Sequence, residues 1–401
     1  MNAELFRDLV STPGISGREE RIRDVVQKNM TDLVDDSRID ALGNLVGIRD
    51  GSGPRIMLCA HMDSIGFLVT HIDDDGFLRI SPVGGFDPRT LVMQRVVVCS
   101  RERDFIGLLA PSSKPIHLLS GDEAKKPPKM EDLFIDLMLP AEEVKAGVSV
   151  GDPVSLVREP LVTDGAVTAP YLDDRLGVYV VLEALRQAGR SDAEIYAVVS
   201  VQEEVGVRGA TTAAFEIEPA VGVAVDVTIA GDLPGADRSQ QVCALGKGAA
   251  IGLMDSGSIS DPRLVRTFKG LAEDRSIPHQ MEILPRGGTD AGGIQLTRAG
   301  VPVITISIPI RYVHTVNEMA YVSDIDATVD LLAAYIETAH EGSLDWSAGY
   351  PPIPSMSARV RPRGAVGGRP ANSAFSTGGT MSVVATLIAT TTVYSSASMI
   401  P

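Results

Sequence analysis

The chain has 401 residues, 44% of them hydrophobic and 22% charged, with a formal net charge of −16. That length can bury a large core in two or more domains, and the acidic balance excludes a nucleic-acid binder, which needs a basic face. Cys59, Cys99 and Cys243 form no paired motif, and no stretch is apolar enough to span a membrane, so a protein of the reducing cytoplasm is expected.

The start is charged and amphipathic, without the basic and apolar regions of a signal peptide. A short helix over Glu4 to Val10 is stopped by Ser11-Thr12-Pro13-Gly14, and Ser16 is placed to cap a second helix with Glu19 as its capping-box partner. Ile39 to Ile48 alternates like a strand around Gly43-Asn44, and Arg55 to Ala60 is an apolar run suited to a sheet covered on both faces. From Ile65 to about Arg158 the texture becomes short alternating runs separated by turn clusters, as in a small β-barrel or sandwich. Helix and strand alternate again from Thr168. Asp174 to Ala188 reads as an amphipathic helix, Ile195 to Val201, Val221 to Val225 and Pro302 to Ile308 as buried strands, and Thr328 to His340 as a last helix. This implies an α/β fold whose mixed, largely parallel sheet is flanked by helices. An all-β domain is inserted into it. The expected boundaries are 1–63 and 164–345 for the α/β domain, 64–163 for the insert, and a disordered extension over 346–401.

Several apolar runs end in side chains that a buried strand has no reason to carry unless a cation waits there. Val198 to Val201 leads into Gln202-Glu203-Glu204, Cys59-Ala60 into His61-Met62-Asp63, Val223 to Val225 into Asp226, and the run from Pro302 into His314. Together these supply His, Asp, Glu and His, the donor set of a zinc-like site. All lie at or just beyond the carboxyl ends of predicted strands, where open α/β sheets place ligands. Asp63, two residues from His61, can stand behind its imidazole and set its tautomer. In Asp173-Asp174 one acid suits a helix N-cap, leaving the other free to bridge two cations. In Glu203-Glu204 one can ligate while its neighbour faces a substrate water. Gly287-Gly288-Thr289-Asp290 lacks the lysine of a phosphate loop, and no serine or cysteine nucleophile has its usual setting. His71, His117, His279 and His340 have no comparable surroundings.

These pieces, with Leu172-Asp173-Asp174-Arg175-Leu176-Gly177 and Gly287-Gly288-Thr289-Asp290-Ala291, fall in one order over roughly Met1 to Leu344. In that order they resemble the TET-type dinuclear metallo-aminopeptidases, a family of glutamyl, leucyl and deblocking enzymes in which some members carry an endoglucanase name. The resemblance implies two divalent ions per subunit, zinc or cobalt, bound by His61, Asp173, Glu204, Asp226 and His314, with Asp173 bridging. It implies Glu203 as general base, Asp63 as the residue orienting His61, and a cis peptide between Asp173 and Asp174. It further implies peptide substrates and a homo-oligomer, built from dimers through the inserted barrel into a dodecamer. Ser64 stands where the family commonly has Glu, which would change the electrostatics near the entrance. Two other readings share the motifs: a two-metal amidohydrolase such as a carboxypeptidase or deacylase, and a catalytically silent structural homologue. A glycosidase would instead need a carboxylate pair without metal.

Overall fold

The computed structural model describes residues 1–112, 116–118, 120 and 126–339. The extension expected over 346–401 and the expected helix end at His340 lie outside the described residues.

Four parallel strands form the centre of the main sheet, in the order Glu194–Ser200, Arg55–His61, Val221–Ile229 and Val303–Arg311. Each is an almost unbroken apolar run because helices cover both faces. Antiparallel strands complete the sheet on both sides. Asp36–Ile39 and Leu45–Arg49 form a hairpin at one end, so the single strand expected around Gly43-Asn44 is two strands turned at Gly43. Glu318–Tyr321, Ala166–Ala169 and Leu161–Val162 close the other end, and Ala249–Met254 pairs with both Val303–Arg311 and His279–Ile283.

The helix Leu172–Gln187 packs against both the sheet and the last helix, Val322–Thr338, which also lies on the sheet. It is buried on nearly every side, and its polar stripe is weak for that reason, unlike the amphipathic helix expected from its sequence. The second helix begins at Glu20. Ser16 does not cap it. The Ser16 hydroxyl donates instead to the Asp63 carboxylate, while Glu19 accepts from the N–H groups of Gly17 and Gln202. The capping-box pattern therefore marked a helix start whose polar residues are drawn to a different element.

Six strands between Gly66 and Val157 form a closed antiparallel barrel, ordered Gly66–Ile72, Leu78–Val83, Leu133–Asp136, Asp104–Pro111, Gln94–Cys99 and Pro153–Val157. Its core includes Phe67, Leu78, Val96, Phe105, Ile135 and Val154, and Tyr171 and Val316 from the α/β part join it. The Tyr171 hydroxyl donates to the Leu156 carbonyl at 2.7 Å, tying the barrel to the chain just before Asp173. No helix among the described residues is long and apolar enough to cross a membrane.

Candidate active site

Strand register brings the first donors together. Ser200 pairs with His61, and Asp226 pairs with Ser307. The couple Ala224 and Cys59 puts Asp226 level with His61 two residues further on. The carboxyl ends of the four central strands thus form one row, and Gln202 to Val207 leads from it to the helix Arg208–Ile217. Non-glycine residues with left-handed backbone flank the donors: Tyr171 (φ 65°), Gln202 (56°), Val207 (56°), Tyr312 (64°) and His314 (61°). Such conformations are uncommon, most of all for a β-branched residue, and gather where surrounding structure imposes them. Gly209 is needed where the loop returns to a helix, since a Cβ there would lie 2.3 Å from Asn44 Oδ1 and 2.5 Å from the Val201 carbonyl.

Asp173 stands between the two imidazoles. Its Oδ1 is 3.2 Å from His61 Nε2, and its Oδ2 is 3.3 Å from His314 Nε2. Glu204 Oε2 lies 3.4 Å from His314 Nε2. Single donor atoms of His61, Asp173 and Glu204 lie within 4.8 Å of one another, as do those of His61, Asp174 and Asp226. Glu203 Oε2 is 3.8 Å from His61 Nε2 and faces the same cavity, which holds about 600 Å³. The structure therefore brings His61, Asp173, Glu203, Glu204, Asp226 and His314 to one wall. The Asp173–Asp174 peptide is cis.

Asp63 is fully buried beneath this wall, but its carboxylate sits differently from the strand-alternation reading. His61 Nδ1 is 3.1 Å from the Asp63 main-chain oxygen and 3.6 Å from the carboxylate. The strand ends at His61, so alternation no longer governs Asp63. Its carboxylate instead accepts from Ser16 Oγ (2.6 Å) and from the N–H groups of Glu203 (2.9 Å) and Glu204 (3.2 Å). The main-chain acceptor leaves Nε2 of His61 turned toward Asp173, the tautomer a metal ligand needs. Ser64 is also buried, with its hydroxyl 3.2 Å from the Gly14 carbonyl. It does not border the entrance as the sequence suggested.

Asp63, Asp173, Asp174, Glu203, Glu204, Asp226 and Asp290 crowd this end, and none pairs with a lysine or arginine among the described residues. Arg175 is close but donates to the carbonyls of Leu9, Thr12 and Gly14. Burial, the neighbouring Asp290 and Glu204, and Asp63 raise Glu203 well above the usual carboxylate range despite the opposing pull of His61. Burial followed by Asp174 raises Asp226 likewise. Burial alone would lower His314, yet Asp173 and Glu204 lift it to about 11. Without a cation these groups compensate each other only by holding protons. Glu204 Oε1 and Asp290 Oδ1 are buried and find no donor among the described residues. Mixed imidazole and carboxylate donors, a surplus of negative charge and an orphaned ligand oxygen all fit divalent metal.

Two contributors, Asp290 and Glu318, escaped the sequence reading, and Asp174, expected there as a helix N-cap, does more than cap. Asp174 accepts from the N–H groups of Gly177 (2.9 Å) and His61 (3.2 Å), which makes it both the helix cap and a brace for His61. Asp290 accepts from Ser200 Oγ at 2.5 Å and from Cys59 Sγ at 3.2 Å, below Glu203. Glu318, also buried, accepts from His314 N (2.6 Å) and Asp173 N (3.1 Å), so one carboxylate holds the backbones of two separate donor segments. No local signal marks Glu318, which sits four residues past His314 in a short strand. Glu318→Gln keeps the shape but replaces one of two acceptors with a donor. It is expected to weaken metal affinity by roughly tenfold to a hundredfold, read by calorimetric titration beside a melting curve. A lowered Tm with unchanged metal affinity would make Glu318 a packing residue only.

Residues 43–331 match the family model described as M42 glutamyl aminopeptidase. The lysyl aminopeptidase of Pyrococcus furiosus is 38% identical over 83% of this chain and 96% of its own length. An aminopeptidase from the archaeon Desulfurococcus kamchatkensis is 40% identical, with a TM-score of 0.80, over 85% of this chain and 98% of that one. A Pyrococcus horikoshii TET1 peptidase, which can assemble into a tetrahedron or a large octahedral shell, is 31% identical with a TM-score of 0.74, over 84% of this chain and 99% of its own.

Proposed function

This chain belongs to the M42 glutamyl aminopeptidase family, and we propose that it removes N-terminal residues from peptides with a two-cation site and Glu203 as general base. The observation that carries this reading is the continuous donor run His61, Asp173, His314 and Glu204, with an uncommitted Glu203 beside it. His61 and Asp226 would hold one cation, and His314 and Glu204 the other. Asp173, whose two oxygens face the two imidazoles, would contribute to both. Bound zinc or cobalt would supply the Lewis acidity that lowers the pKa of a water and polarises a peptide carbonyl.

Glu203 takes a proton from the attacking water as the carbon–oxygen bond forms, then gives it to the departing amine as the carbon–nitrogen bond breaks. Asp63 holds the Glu203 and Glu204 backbones, so it acts as a positioning residue. The surplus of carboxylates over imidazoles also favours a substrate's free ammonium group at this end. The segment 64–163 is read as the subunit-pairing domain of a dodecamer built from dimers, in the cytoplasm.

The test is a matched panel on the cobalt- or zinc-loaded enzyme: leucine amide, N-acetyl-leucine amide and N-acetyl-leucyl-leucine. Only the free-amine substrate should turn over. Cleavage of the blocked compounds instead would favour a carboxypeptidase or deacylase, and no cleavage of any would favour a silent homologue.

A further inference from the structure

Apart from the histidines, Arg286 is the only cationic residue lining the 600 Å³ cavity among the described residues. It follows the strand His279–Ile283 and precedes Gly287, whose φ of 101° turns the loop along the cavity wall. Other guanidiniums of this region are committed to the fold. Arg311 is bidentate to Asp232, both bonds at 2.7 Å, and Arg263 is paired with Asp261 at 2.8 Å. Arg286 is exposed and makes neither an ion pair nor a hydrogen bond among the described residues. The other lining residues include Val227, Ile229, Leu284 and Val313, apolar groups that offer no rival for a charged ligand.

Among the described residues the cavity is thus polarised, with anionic side chains where an ammonium group would dock and one unpaired guanidinium elsewhere on the wall. A guanidinium is a planar fork matched to carboxylate. We infer that Arg286 is the receptor for a carboxylate of the peptide substrate, a reading that rests on the peptidase function above. A peptide can present that group from three places: the side chain of its first residue, the side chain of its second, or the C-terminus of a short peptide.

Three matched pairs distinguish these sources on the metal-loaded enzyme. They are glutamyl against glutaminyl anilide, leucyl-glutamate α-amide with its side-chain carboxylate free against leucyl-glutamine amide, and leucyl-leucine against its amide. Each pair is read as a ratio of kcat/KM in the parent enzyme, in Arg286→Gln and in Arg286→Glu, so a general loss of activity cancels. The parent should favour the acid in at least one pair by about tenfold, mostly through KM. That ratio should approach one in Arg286→Gln and invert in Arg286→Glu, and the responding pair names the source. Ratios at or below one in the parent for all pairs, or a preference that survives in Arg286→Gln, overturn the inference. If no pair is cleaved, the peptidase reading fails separately. Calorimetric binding of the same pairs then decides, with affinity indifferent to the carboxylate overturning the role of Arg286.

Discussion

Glu203→Gln is expected to lower kcat by about 10²–10⁴-fold while the protein retains its full complement of metal. The backbone of Glu203 is anchored by the Asp63 carboxylate at 2.9 Å, and that bond does not depend on the side chain. The carboxylate itself is 3.8 Å from His61 Nε2, whereas Asp173 is 3.2 Å away, so Glu203 stands outside the closest donor contacts. An isosteric amide preserves the loop and the shape of the cavity but cannot accept a proton from water. KM should change little, because the lost interaction belongs to the transition state. Steady-state kinetics on leucine anilide, with metal content from atomic emission, checks both halves. Turnover near that of the parent would assign the base elsewhere, and loss of metal would make Glu203 a ligand.

Asp173→Ala should remove metal binding itself. The two Asp173 oxygens lie within 3.3 Å of the two imidazoles, so a single truncation takes a donor from both positions. Neither Asp174 nor Glu318, the carboxylates that brace its surroundings, is free to replace it. Asp174 is engaged by Gly177 and His61, and Glu318 by Asp173 and His314. Losing several kcal/mol of charge stabilisation corresponds to roughly three or more decades in rate. Stability gives an independent readout. A ligand at about 100 times its Kd adds roughly 2.7 kcal/mol, so a chelator should lower the Tm of the parent protein. The same chelator should leave the Tm of Asp173→Ala almost unchanged. A chelator-sensitive Tm equal to that of the parent would remove Asp173 from the metal site.

The donor types were readable in advance because they interrupt local patterns. Val198 to Val201 and Val223 to Val225 are runs that belong in a covered sheet, and the acids at their ends are costly there without a cation. The barrel was readable as a change from long apolar runs to short alternating ones. Asp63 was found, but its partners were not. Its place next to His61 in sequence suggested a side-chain contact, whereas the carboxylate serves Ser16 and the Glu203–Glu204 backbone. Ser16 and Glu19 looked like a helix cap for the same reason, since a residue's partner 47 or 183 positions away leaves no trace in its own neighbourhood.

By itself, then, the sequence determined which chemistry the chain can hold and on which kind of element each donor sits. Those properties follow from side-chain type and from periodicity over a few residues. Only the tertiary structure decided that the strand beginning at Glu194 lies beside the one beginning at Arg55, which levels Ser200 with His61. It also decided that Glu318 joins Asp173 to His314, and that Arg286 lines the same cavity without an ion pair among the described residues. Strand order, register and the reach of a buried carboxylate are set by packing among distant segments, whose free energy is shared over the whole core and is written in no single stretch of the chain.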